Sequence, residues 1–228
     1  MPLWREWPGL CAHRAVSEAM SSSRFNPANE ESYMNPVVSI FKYPPDGGRG
    51  YHRDMRVRWA LEEVGQPYTL RHLTFSEMRR PEYLEMQPFG QMPIYQEGDL
   101  ILFESGAIVL HIAQRFAGLL PDEANARSRS IMWMFAAVNT IEPCIASGSV
   151  GHLSQRLQQL GDTLGGKEWL EGAQFSAGDL MMVSVLRPLK HSDILLDSPG
   201  LQDYVERGEQ RSAFQRALGN PPADRRTA

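Results

Sequence analysis

The strongest constraint in this chain lies between residues 87 and 105. Gln87-Pro88-Phe89-Gly90-Gln91-Met92-Pro93 leads into Ile94-Tyr95, and Leu100-Ile101-Leu102-Phe103 follows across Gln96-Glu97-Gly98-Asp99. Two short apolar runs joined by a polar, glycine-containing link read as an antiparallel hairpin. Pro93 stands where the first hairpin strand begins, behind an ordered loop, which makes Met92–Pro93 a candidate cis bond. Glu104-Ser105 closes the second strand. Ser105 is placed to cap a helix running from Gly106 to Phe116, which Gly118 and Pro121 stop.

Upstream of this hairpin, Val37-Val38-Ser39-Ile40-Phe41 is β-branched and apolar, suited to a buried strand. Residues 42–50 are a loop by composition. Val57, Ala60, Leu61 and Val64 then fall at helical spacing, with Arg56, Glu62 and Glu63 on the other face, and Gly65 and Pro67 end the helix. Tyr68 to Leu73 alternates as a second strand, and the chain is irregular from there to Gln87. The order strand, helix, strand, hairpin, helix, with a parallel crossover before an antiparallel hairpin, is the plan of a thioredoxin-like α/β domain, here residues 35–120. Past a linker at Pro121-Asp122, every periodic segment is helical, giving an all-α domain over 122–228. Ile131, Met134, Phe135 and Val138 share one face of a helix over 127–141, and Leu153, Leu157 and Leu160 one face of another over 150–164. Ser176 and Asp179 form a capping box, with Phe175 and Leu180 placed as its hydrophobic staple. Residues 1–34 carry no period and read as a disordered tail or a mis-called start, since Met34 precedes the first strand.

Composition excludes several functions. Lys and Arg number 23 against 27 Asp and Glu, a net charge of −4 without a basic run, so nucleic acid is not an expected partner. No apolar stretch approaches the ~18 residues of a membrane span. Cys11 and Cys144 make no disulfide framework, which points to a reducing, cytoplasmic setting; Cys144 and the methionines at 132, 134, 181 and 182 read as core filling. No histidine pair has metal-ligand spacing, and Asp46-Gly47-Gly48-Arg49-Gly50 lacks the ending of a phosphate-binding loop, so no metal or cofactor is expected.

The remaining chemistry gathers around Pro93. A cis bond there would turn the backbone N–H and C=O of Met92 outward to pair with an extended peptide. Across the hairpin, Glu104 offers a carboxylate to an ammonium, and Ser105 a hydroxyl at a helix N-terminus that attracts a carboxylate. Together they suit a small γ-linked peptide.

These segments resemble the cytosolic glutathione transferase family: residues 87–93, Glu97-Gly98-Asp99 and residues 102–108 resemble its glutathione-site segment. Phe175-Ser176-Ala177-Gly178-Asp179 resembles its buried capping box, and the stretches around Tyr204 and Phe214 its C-terminal helix pattern, so the resemblance covers about residues 36–218. It implies that Glu104 and Ser105 hold the γ-glutamyl end of glutathione, that Met92 pairs with the cysteinyl unit beside cis-Pro93, and that Gln91 stands where many relatives place a basic residue for the glycyl carboxylate. The activity implied is conjugation of glutathione, as co-substrate, to a small electrophile by a homodimer. Relatives activate the thiol with a Tyr, Ser or Cys just after the first strand. Here Tyr43 is the first candidate, with Tyr51 and Arg53 as alternatives. A non-catalytic glutathione- or apolar-ligand-binding protein, or an interaction module on the same fold, is the other reading. Between Pro143 and Leu164 the helical domain is shorter than in relatives, which leaves the electrophile unread.

Overall fold

The computed structural model describes residues 35–219, and the reading of residues 1–34 lies outside them. Strand β1 (Val37–Phe41) pairs in parallel with β2 (Thr69–Leu73), Val37 opposite Thr69, and antiparallel with β3 (Ile94–Glu97), Val38 opposite Tyr95. β3 pairs antiparallel with β4 (Leu100–Phe103), so the sheet order is β2-β1-β3-β4. The crossover between β1 and β2 is α1 (Asp54–Glu63), and α3 (Ser105–Arg115) follows β4. Both bury an apolar stripe: Val57, Ala60 and Leu61 from α1, and Ile108, Val109 and Ile112 from α3, enter the same core as Val38 and Ile40. This is the thioredoxin-like arrangement expected from the strand order.

The stretch after β2 is more regular than its sequence suggests. A short 3₁₀ turn (Glu77–Arg79) and α2 (Pro81–Leu84) occupy it. The Glu77 carboxylate accepts the Thr74 N–H at 2.8 Å, while Thr74 Oγ1 accepts the Glu77 N–H at 3.3 Å, the reciprocal bonds of a T-x-x-E box.

The helical half comprises α4 (Ala124–Ala136), α5 (Glu142–Ser147), α6 (Val150–Leu164), α7 (Ala177–Leu186), α8 (Asp193–Leu196), α9 (Pro199–Glu209) and α10 (Ser212–Gly219). Between α4 and α5 the helix widens into a π segment, Ala137–Ile141, where a continuous α-helix is expected. Pro143 follows directly; its ring has no N–H for the carbonyl one turn back and crowds it, and a widened turn accommodates that. The buried face of α4 is Ser130 and Met134, continued by Ala137 and Ile141. Phe135 is 56% exposed and Met132 52%, so neither fills the core as expected. Cys144 is only half buried. The period of an amphipathic helix marks a stripe, but not which edge of it meets solvent.

Helix α7 is the hub, packing on α1, α3, α4 and α9. A Cβ on Gly178 would stand 2.8 Å from the Ser130 carbonyl oxygen and 2.8 Å from Trp133 Cβ, so α4 and α7 meet at a distance only glycine allows. On its other side, α1 is clasped by α10. Trp59 stacks edge-on against Phe214 at 5.0 Å, and Arg58 Nη1 donates to the Ala217 carbonyl at 2.5 Å. Arg211 and Arg216 reach back to Glu63 and Glu62, at 2.6 and 2.8 Å. Residues 35–219 belong to one compact unit, so the sheet half and the helical half share a core.

Candidate functional site

The Met92–Pro93 bond is cis. Both of its flanks are tied down. The Tyr83 hydroxyl donates to the Gln91 carbonyl at 2.6 Å, and the Ile94 N–H donates to Ser39 Oγ at 2.7 Å. The Met92 backbone between them is held in place by bonds that its own N–H and C=O do not make.

Across the hairpin, Glu104 has φ +67°, alone among described non-glycine residues in the left-handed region. An L-residue held there costs roughly 1–3 kcal/mol, and such strain collects where a side chain must be aimed. Glu104, not Ser105, is the N-cap of α3, and Ser105 is the first helical residue. Its hydroxyl does not cap; it accepts Arg56 Nη1 at 3.2 Å. The Ile108 N–H is taken by the Glu104 carbonyl, which leaves the first-turn N–H groups of α3 facing out beside both side chains.

Arg56 was expected on the solvent side of α1. It is 5% exposed, because two partners from distant parts of the chain cover it. Besides Ser105, its Nη2 lies 3.1 Å from Glu142 Oε1, and the same oxygen receives Arg53 Nη2 at 3.2 Å. Burial lowers the proton affinity of the Arg56 guanidinium, with Glu142 opposing. For Glu142, burial pushes the carboxyl up, but Arg56 and Arg53 together outweigh it and hold it below the usual range.

These residues surround one cleft of about 410 Å³. Arg53 is the N-cap of α1 and Arg56 lies in its first turn, while Glu104 and Ser105 stand at the start of α3. Leu110, Met134, Phe135 and Val138 supply an apolar wall, with Glu142 at the junction. The cleft therefore carries two cations, two carboxylates and a dry flank, which can receive an amino-acid head and an apolar group together.

Of the three thiol-activating candidates, only Arg53 lines this cleft. Tyr43 is 68% exposed, with Lys42 Nζ 5.6 Å from its ring centroid. Tyr51 lies under the Arg187 guanidinium, 5.2 Å from its ring centroid. The loop between them is folded around Asp46, whose carboxylate accepts the N–H groups of Gly48 and Tyr51 at 2.9 and 2.7 Å. Partial burial pushes that carboxyl up, but these bonds and the nearby His52 together hold it below its ordinary value. Two amides of this glycine-rich loop are thus already turned onto the protein's own carboxylate. Among the described residues no group of three His, Cys, Asp or Glu side chains could hold a metal. No helix there is long and apolar enough to cross a membrane.

The family model for the glutathione S-transferase N-terminal domain matches residues 47–114, the span holding cis-Pro93, Glu104 and Ser105. That span of the chain is similar to the N-terminal domain of glutathione S-transferases. A probable glutathione S-transferase of Oryza sativa subsp. japonica is 39% identical over 90 residues, covering 37% of this chain and 41% of that protein. Glutathione S-transferase 1 of Zea mays is 38% identical over 88 residues, again 37% of this chain and 41% of the relative. The chain thus spans about two fifths of the length of these relatives. The fold match runs further. A poplar glutathione transferase superposes with a TM-score of 0.71 at 22% identity, over 82% of this chain and 97% of that one. A glutathione transferase of Burkholderia graminis, solved with two glutathione molecules per subunit, gives 0.72 at 23%, over 83% of this chain and 89% of its own.

Arg56 and Glu142, which line the cleft, carry no reading from sequence as parts of it, and neither does Arg187, which grips the loop before α1. Glu142 pairs with both Arg56 and Arg53 across long stretches of chain, 89 residues in the case of Arg53, and no local pattern announces either pair.

Proposed function

We propose that this protein is a glutathione transferase that activates the glutathione thiol and joins the sulfur to a small apolar electrophile. The observation that carries the reading is the strained Glu104 beside Ser105 at the start of α3, opening on the same cleft as Arg53 and Arg56. In this reading the α-carboxylate of the γ-glutamyl unit meets Ser105 and the first-turn N–H groups of α3, with the Arg56 charge behind them. The ammonium meets Glu104, and the cysteinyl unit pairs with the Met92 backbone beside Pro93. Gln91 offers the glycyl carboxylate a neutral hydrogen bond only. Residues 35–120 and 122–228 are the two working halves.

A thiol has a pKa of ~8.5, and each unit by which the site lowers it is worth ~1.4 kcal/mol. We assign that task to Arg53, in preference to the exposed Tyr43 or the stacked Tyr51, because Arg53 shares the cleft with Glu104 and Ser105. A guanidinium donating to sulfur stabilises the thiolate, whose proton is released to solvent, as it attacks the electrophilic carbon; the C–S bond forms and the leaving group departs with its electron pair. The apolar wall of Leu110, Met134, Phe135 and Val138 suits the electrophile. The setting proposed is the cytoplasm, where glutathione keeps Cys144 reduced.

A glutathione titration followed by thiolate ultraviolet absorbance, repeated across pH, tests this. A thiolate signal at neutral pH is expected, weakened in Arg53→Ala and kept in Tyr43→Phe. The reverse pattern returns the role to Tyr43, and binding without any thiolate makes the protein a glutathione carrier. We also propose a homodimer, supported by Phe89, exposed at the surface and stacked on Phe103 with centroids 6.0 Å apart. Sedimentation at micromolar concentration is expected to give twice the chain mass; a monomer alone rejects it.

A further inference from the structure

Arg187 is 4% exposed and follows α7 directly, far in sequence from the cleft, yet it holds the loop that leads into α1. Its Nη1 donates to the Gly50 carbonyl at 2.5 Å and its Nη2 to the Arg49 carbonyl at 2.9 Å. Nε donates to Glu209 at 2.8 Å, and the plane is flanked by the rings of Tyr51 and Phe214, the latter at 4.5 Å. We infer that Arg187 is a positioning residue for thiol activation, fixing the backbone that presents Arg53 to the cleft. The inference rests on the transferase reading above.

Core packing alone does not require this arrangement. A buried cation is costly, and an apolar side chain of similar size would fill the space more cheaply. What an apolar residue could not do is grip two successive carbonyls, and lysine, without the planar fork, could not meet both of them and Glu209 from three separate nitrogens. The grip falls three and four residues before Arg53. It also falls where the loop has no freedom to be replaced. Gly50 has φ +72°, and a Cβ there would come within 2.9 Å of Leu218 Cδ1 from α10.

Arg187 is itself anchored. Glu209 of α9 receives it on one oxygen and Lys190 on the other, at 2.6 Å. Burial pushes the Glu209 carboxyl up, but the two cations together hold it below its usual range, so the anchor stays charged. The loop that leads to Arg53 is therefore held by the turn after α7 and by residues of α9 and α10. An ångström of misplacement at a reacting group can cost about a hundredfold in rate.

The test uses Arg187→Lys and, as a variant that loosens the anchor while sparing the guanidinium, Glu209→Gln. Each is compared with the wild type for glutathione affinity, for the pH profile of conjugation to chlorodinitrobenzene, and for hydrogen exchange of amides 48–55. Expected for Arg187→Lys is a kcat at least tenfold lower and a bound-thiol pKa about one unit higher. Glutathione affinity should stay within about threefold, because Glu104, Ser105 and Met92 are untouched. Glu209→Gln should fall between, with faster exchange at 48–55 and unchanged exchange in α7. A wild-type pH profile in either folded variant, or kcat falling only in proportion to the folded fraction, overturns the role of Arg187. Wild-type protein that never yields a thiolate overturns the transferase reading itself, a different result from a normal wild type with an insensitive variant.

Discussion

Asp179→Ala is expected to lower the unfolding free energy by about 3–5 kcal/mol. Asp179 is fully buried at the start of α7 and accepts four hydrogen bonds. Oδ1 takes the Leu170 N–H at 2.8 Å and the Tyr204 hydroxyl at 2.9 Å. Oδ2 takes the Ser176 N–H at 3.0 Å and its hydroxyl at 2.8 Å. Alanine would strand all four donors, each worth roughly 1–3 kcal/mol when left unpaired in the interior. Some of the hydroxyls will find other acceptors, which is why the expected total lies well below the sum. Burial pushes the Asp179 carboxyl above its ordinary value, and the four bonds only partly oppose this. Asp179→Asn, which keeps an oxygen and removes the charge, is therefore expected to lose less than Asp179→Ala. Urea unfolding followed by circular dichroism checks both. Tyr204→Phe, which removes one donor together with its need for an acceptor, should cost about 1 kcal/mol. The double variant with Asp179→Ala should cost less than the two singles combined, since both act on one bond. A loss below about 1 kcal/mol for Asp179→Ala would mean that α7 does not depend on its cap.

The second large effect concerns ligand rather than fold. Glu104→Ala is expected to weaken glutathione binding by about ten- to a hundredfold, the value of a charge-assisted hydrogen bond of roughly 1.5–3 kcal/mol. Calorimetric titration at low and high salt measures it, with the deficit largest at low salt. The backbone of Glu104 offers a sharper comparison. Its φ of +67° is costly for alanine and free for glycine. Glu104→Gly should therefore be more stable than the wild type by up to about 1 kcal/mol while binding glutathione as poorly as Glu104→Ala. Stability gained as affinity is lost would mark the strain as serving the ligand. Unchanged affinity in both variants would remove Glu104 from the site.

What the sequence disclosed and what it withheld divide along the range of the interactions. The hairpin after Pro93, the leucines of α6 and the box at Ser176 and Asp179 are written within a few residues of each other, and all three form at the expected places. Ser105 was misread by one position as the cap, because a strained glutamate is not a residue that local preference would put there. Thr74 and Glu77 have the spacing of a box but no long apolar stripe behind them to mark a helix. Arg56 could not have been placed inside from its own neighbourhood. A charged residue on a helix reads as solvated until its counter-ions are known, and Ser105 and Glu142 are known only from the folded chain. The same holds for Arg187, whose carbonyl partners lie 137 and 138 residues upstream.

The clasp of α10 on α1 also orders events in time. Arg58 and the carbonyl it binds on Ala217 are 159 residues apart, so a ribosome adding 5–20 residues per second needs roughly 8–30 s to travel from one to the other. Through that interval Trp59 has no Phe214 to stack on, and Gly50 has no Leu218 against it. The half of the molecule that emerges first thus leaves its central helix uncovered on one side while the rest is translated. Helix α10 closes over α1, and the loop before α1 reaches its final shape only when α9 and α10 have arrived.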